Sequence, residues 1–254
     1  MRRPLVAANW KMNGSLRFIE DYATSLKGSG LESQETVDVV YFPPAVYLAA
    51  WQAYCPGIAF GVQDVGISPE GAHTGEIAAE MVADLGGRWA IVGHSERRID
   101  QGEPDDLVAT KASAALRGGL NPIVCVGETL EERNAGHEIA VVERQLEAVL
   151  DRIEVADLSQ GAIAYEPVWA IGTGQTASPE QAQEMHAFIR DKIAHVDAEI
   201  AQVIRVVYGG SVKPDSATEL FAQEDIDGGL VGGAALNAHH FVEIIKAAEA
   251  VASE

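Results

Sequence analysis

The sequence predicts an α/β fold, a single-domain (β/α)8 barrel over residues 1–254. Three observations lead there. Eight short apolar runs lie along the chain, at residues 5–10, 37–42, 58–63, 89–92, 122–126, 161–165, 203–208 and 228–231. Their ends are roughly 20–40 residues apart, about one strand–helix unit each. Glycines and polar residues gather directly after the first, fourth, sixth, seventh and eighth runs. In a barrel all of those positions surround one mouth, at the C-terminal ends of the strands. A doubly wound open sheet is the alternative. It calls for a glycine-rich dinucleotide turn after the first strand, and Asn9 to Gly14 is not one.

Each element has its own signal. Most runs lack strict alternation, which suits strands buried on both faces of a parallel sheet. The first passes into Asn9-Trp10-Lys11-Met12-Asn13-Gly14. The second and third are read as strands on the same apolar grounds. The fourth leads into Gly93-His94-Ser95-Glu96-Arg97-Arg98, where Ser95 is a natural N-cap for a helix. After the fifth, residues 144–153 put Leu146, Val149, Leu150 and Ile153 on one side of a helix. The sixth leads into Tyr165-Glu166-Pro167-Val168-Trp169-Ala170-Ile171-Gly172-Thr173-Gly174. A helix then starts at Ser178, an N-cap followed by Pro179 and by Gln181, which completes a capping box. Ala182, Met185, Ile189, Ile193 and Val196 give that helix one buried stripe. The seventh run ends in Tyr208-Gly209-Gly210-Ser211-Val212, and the eighth in Val231-Gly232-Gly233 before a short helical stretch at residues 234–237.

Composition narrows the function. The chain has 254 residues, 47% of them apolar, enough for a sizeable core. No apolar run approaches a bilayer span. Residues 1–8 hold too few apolar residues for a signal-peptide core, and the first strand starts there. Cys55 and Cys125 sit in apolar runs and read as buried thiols, in keeping with a reducing cytoplasm. A formal charge of −20 argues against nucleic acid and anionic membrane as partners. No metal-binding spacing is present. The pair His239-His240 would point to different faces of a helix, and there is no dinucleotide fingerprint. The chemistry must run without a cofactor.

The segment around Glu166 carries the most chemistry. It sets a carboxylate at the end of an apolar strand. Pro167 stiffens the exit, and Gly172 and Gly174 let backbone N–H groups approach a ligand. This is how a general base joined to a water-excluding lid would look. For Glu166 alone, a solvated strand-end carboxylate is the plain alternative. Gly232 and Gly233 open a helical stretch whose N–H groups would form an anion site, and such glycine pairs are also common in ordinary turns.

In this order, the motifs NWKMNG, GHSERR, YEPVWAIGTG, YGGSV and VGGA resemble those of the triosephosphate isomerase family over essentially the whole length. The resemblance implies a TIM barrel and a cytoplasmic enzyme of glycolysis and gluconeogenesis. That enzyme interconverts dihydroxyacetone phosphate and D-glyceraldehyde 3-phosphate through an enediolate. It implies Glu166 as base, neutral His94 as electrophile and Lys11 as cation, with Asn9 beside them. Gly172, Ser211, Gly232 and Gly233 would hold the phosphate. Glu96 would orient Lys11. It also implies a homodimer, in which the loop around Thr74 reaches into the neighbour and braces Asn9 and Lys11. Four positions depart from the family pattern: Asp64 stands for the usual Asn, His73 for an aromatic, Gln175 for Lys and Ala235 for Ser. A metal-dependent epimerase would need ligands not found here. A Schiff-base aldolase would need a lysine within a strand. A non-catalytic phosphate-binding protein that kept the fold would tolerate loss of Glu166.

Overall fold

The computed structural model describes residues 2–30, 35–171 and 177–253. Its strands are β1 (Leu5–Asn9), β2 (Asp38–Phe42), β3 (Gly61–Val62), β4 (Trp89–Val92), β5 (Asn121–Val126), β6 (Ala162–Tyr165), β7 (Arg205–Tyr208) and β8 (Gly228–Val231). They form one parallel sheet in the order β2–β1–β8–β7–β6–β5–β4–β3. A bridge between Tyr41 and Phe60 links its two ends, with the Tyr41 N–H donating to Ala59 O at 3.0 Å. Helices fill every connection between strands whose residues are described, except the stretch from β3 to β4, where the helix Ala79–Asp84 is short.

The apolar runs find two destinations. Leu5, Ala7, Val40, Phe42, Trp89, Ile91, Ile123, Cys125, Ala162, Ala164, Val207 and Leu230 form one core, inside the barrel. Val6, Ala8, Tyr41, Ala90, Val92, Val124, Ile163, Val206 and Val231 face the helices in a second, larger core. Strand side chains alternate faces, so a strand with both faces covered is apolar throughout. The inward parity of β1 runs through Leu5 and Ala7 to Asn9, and that of β6 through Ala162 and Ala164 to Glu166. Two proposed site residues are therefore the next inward positions at the C-terminal rim.

Some boundaries differ from expectation. β3 is shorter than residues 58–63, because Ile58 N–H turns back to Cys55 O (3.2 Å). β7 starts at Arg205 rather than 203, because Val203 and Ile204 N–H groups both return to Ile200 O (2.9 Å). The helix Pro179–Val196 has the expected capping box, with Gln181 N–H donating to Ser178 Oγ and Ser178 N–H to Gln181 Oε1. Its stripe buries Ala182, Met185, Ile189 and Ile193, but Val196 lies in the last turn and is 58% exposed. The helix predicted at 144–153 runs from Glu138 to Leu150.

The helix Pro179–Val196 also buries His186 and Arg190. Arg190 is paired with Asp225 and Asp227, each at 2.6 Å. Burial pushes the His186 imidazole down to about 4. Below about pH 6.5 the unfolded chain binds a proton there that the fold refuses until about pH 4. Stability should therefore fall as pH drops through that window, with His186 contributing on the order of 3 kcal/mol. Asp64, raised to about 6 chiefly by burial, acts in the opposite direction between its unfolded value of 3.8 and 6. Urea midpoints at pH 7 and pH 5 should show a smaller drop in His186→Asn than in the parent. An equal drop would show that His186 does not set the slope.

Candidate active site

Lys11 stands just past β1 with φ +52°, the only non-glycine in the left-handed region among the described residues. Such a backbone costs about 1–3 kcal/mol and persists only where surroundings hold it. Here Asn9 Oδ1 accepts the Lys11 N–H at 3.0 Å. Gln63 Nε2 donates to both Lys11 O (2.9 Å) and Phe42 O (2.8 Å). Trp10 is fully buried and anchors the turn from below. The Lys11 ammonium ends 2.6 Å from Glu96 Oε1.

After β4, Gly93 takes φ +68°, and the chain enters the helix Ser95–Asp100. The N-cap is His94 itself, one residue earlier than expected. Its Nδ1 accepts the Glu96 N–H at 3.3 Å. Ser95 is freed from capping by that contact and turns to Glu166 instead. With Nδ1 an acceptor, Nε2 carries the ring's proton, as in a neutral imidazole. Nε2 lies 3.0 Å from Glu166 Oε1.

Glu166 is 1% exposed. Its Oε2 accepts the Ser95 N–H at 2.8 Å, and its Oε1 the Ser95 hydroxyl at 3.3 Å. A buried carboxylate needs such donors. Two glycines make room for it. A Cβ on Gly127 would lie 1.8 Å from Glu166 O, and one on Gly209 would lie 2.7 Å from Glu166 Cγ.

Asn9, Lys11, His94, Ser211, Gly232 and Gly233 all line one cavity of about 460 Å³ at the mouth of the barrel. Gly209, Gly210, Val212 and Lys213 share it. Ser211 and Lys213 precede the helix Pro214–Phe221, and Gly232 caps the turn Gly233–Leu236. Backbone N–H groups at such starts favour an anion. Lys213 adds a cation on the same side. Two residues of the chemical end (His94, Lys11) and the anion end (Ser211, Gly232, Gly233) therefore meet in one space. Glu166 does not line the cavity; its carboxylate is turned onto Ser95. Gly172, with Gly174 and Gln175 of the expected lid, lies outside the described residues.

Several contacts were not anticipated. Glu128, fully buried after β5, accepts from Tyr165 OH (3.1 Å), Trp169 Nε1 (2.8 Å) and Arg133 Nη1 (2.9 Å). It ties both flanks of Glu166 to the neighbouring strand end. Its only sequence signal is position: an acid directly after a strand, in Gly127-Glu128-Thr129. The departure at Asp64 also finds partners. Its carboxylate sits 2.6 Å from Lys111 and 2.9 Å from Arg97, and both cations also reach Glu103.

Comparison with known proteins gives the family. The family model for triosephosphate isomerase matches residues 4–248. A triosephosphate isomerase of Stenotrophomonas maltophilia (strain K279a) is 52% identical over 252 residues, covering 98% of this chain and 100% of its own. Those of Alcanivorax borkumensis and Alkalilimnicola ehrlichii are 51% and 52% identical, each covering 98% of this chain and 99% of their own. A match across the whole barrel, at this identity, leaves the doubly wound alternative and the other phosphosugar barrels behind: the chain belongs to the triosephosphate isomerase family.

Proposed function

We propose that Glu166, His94 and Lys11 carry out the family's aldose–ketose isomerisation, with Asn9 beside them. The family interconverts dihydroxyacetone phosphate and D-glyceraldehyde 3-phosphate. The observation that most supports the assignment is the meeting of the three groups: His94 Nε2 is 3.0 Å from Glu166, and His94 and Lys11 open on one cavity. Glu166 leaves Ser95, takes a proton from the carbon beside the carbonyl, and becomes a carboxylic acid. The C–H electrons form the enediolate double bond, and the carbonyl pair moves onto oxygen. Lys11 and the Nε2–H of His94 face that growing charge, and Asn9 donates beside them. His94 passes a proton between the two oxygens. Glu166 then returns its proton to the neighbouring carbon, so atoms and electrons balance without an outside reductant.

Ser211, Gly232, Gly233 and Gly172 hold the phosphate in this reading. The test is direct. The protein should convert dihydroxyacetone phosphate to the aldehyde in the presence of EDTA, and inorganic phosphate should inhibit competitively. No turnover, or inhibition that is not competitive, would count against these roles.

The chain acts as one domain over residues 1–254, in the cytoplasm and as a homodimer. Exposed apolar side chains after β1 and β2 support the dimer: Met12 is 96% exposed and Val46 80%. Single exposed residues are ordinary on a surface, but a nearly fully exposed Met12 directly after a site cation suits a covered face. The exposed loop holding His73 and Thr74 would reach across to brace Asn9 and Lys11. Sedimentation at micromolar concentration should give twice the chain mass, and a fully active monomer would contradict it. Among the described residues no helix is long and apolar enough to cross a membrane.

A further inference from the structure

We propose that Tyr22 is a positioning residue for the phosphate end of the site. It rests on the reading that Gly232 and Gly233 grip a phosphate.

Tyr22 lies on the buried face of the helix Leu16–Leu26, with Ile19, Ala23 and Leu26. An apolar side chain would satisfy that face. A buried tyrosine needs a partner for its hydroxyl. This one donates to Ala235 O at 2.9 Å, in a buried bond across 213 residues of sequence. Burial also pushes the phenol well above its usual range, so it remains a donor.

Ala235 sits inside the turn Gly233–Leu236 and is fully buried. Its N–H donates to Gly232 O at 2.9 Å. Its carbonyl is held by Tyr22. Ala235 has no polar side chain to anchor the turn, so its two main-chain groups do so. A Cβ on Gly233 would meet nothing within 4 Å, which leaves its backbone open to the cavity it lines. The Tyr22 hydroxyl thus holds the turn from its buried side.

The same ring reaches the other half of the site. Tyr22 packs on Trp10 at 5.0 Å between centroids, and Trp10 precedes Lys11. Gly232 is close to Lys11 as well, since a Cβ there would lie 3.4 Å from Lys11 Cε. One side chain therefore sets the spacing between the cationic turn and the anion-binding turn.

Tyr22→Phe keeps the ring and its packing and removes only the donor. A buried carbonyl left without its donor relaxes toward another partner. We expect KM for dihydroxyacetone phosphate to rise about 3–10-fold with kcat within about twofold, a loss of binding shared by substrate and transition state. The inhibition constant for inorganic phosphate should rise by the same factor. A purely structural role would lower Tm and leave both constants alone. Parent-like KM and phosphate inhibition in Tyr22→Phe, whatever its Tm, would overturn the proposal. Absence of competitive phosphate inhibition in the parent protein would overturn the phosphate-site reading and the proposal together.

Discussion

Glu166→Asp should lower kcat by about 10²-fold and leave KM within a few-fold of the parent. The carboxylate remains, but one methylene is lost, and a displacement of about 1 Å at a reacting group costs roughly that much. The site makes this change clean. Glu166 N–H is fixed to Val126 O at 2.8 Å, and Glu128, Tyr165 and Trp169 brace its flanks, so the backbone has little freedom to follow. Glu166 also stands apart from Ser211, Gly232 and Gly233, so the phosphate grip should be intact. Steady-state kinetics with both triose phosphates checks it. A variant with parent kcat would remove Glu166 from the role of base.

Lys11→Met should cause the larger loss in kcat/KM, about 10³-fold or more, with both constants affected. Removing one donor to a developing oxyanion costs about 10²–10³ in kcat. Lys11 would also face the phosphate dianion, so KM should rise too. Methionine keeps the length and most of the volume. The strained turn should survive, because Asn9 and Gln63 hold its backbone rather than its side chain. Glu96 would be left without its cation, yet its side chain is about half exposed and can be solvated. The contrast separates the roles: Glu166→Asp changes kcat alone, Lys11→Met changes both. A Lys11→Met variant that raised KM with kcat untouched would confine the lysine to binding.

The barrel was legible because its strands are buried twice. Runs such as Ala162 to Tyr165 and Val206 to Tyr208 are apolar on both parities, since one parity enters the barrel core and the other meets helices. The rim was legible for a related reason. Asn9 and Glu166 break that pattern with polar groups at the next inward position, where a packed core would not accept them. What could not be read was contact between distant side chains. Ser95 looked like an N-cap, and only the fold shows His94 taking that place while Ser95 turns to Glu166 across 71 residues. Glu128 shows no periodic or motif signal, because two of its three donors, Tyr165 and Trp169, lie in a segment some 40 residues further on. The left-handed backbone of Lys11 was equally silent, since a lysine gives no hint of positive φ as a glycine would.

The most direct measurement follows the proton itself. Dihydroxyacetone phosphate incubated in D2O with EDTA and the parent protein should gain deuterium at the carbon beside the carbonyl, as the aldehyde product appears. Glu166→Gln keeps the size of the side chain and cannot take the proton, so exchange should fall by about 10²–10⁴-fold. Competitive inhibition by inorganic phosphate should persist in that variant and show that the anion end is intact. Parent-rate deuterium exchange by Glu166→Gln, with the phosphate site still occupied normally, would contradict Glu166 as the base on which the whole arrangement turns.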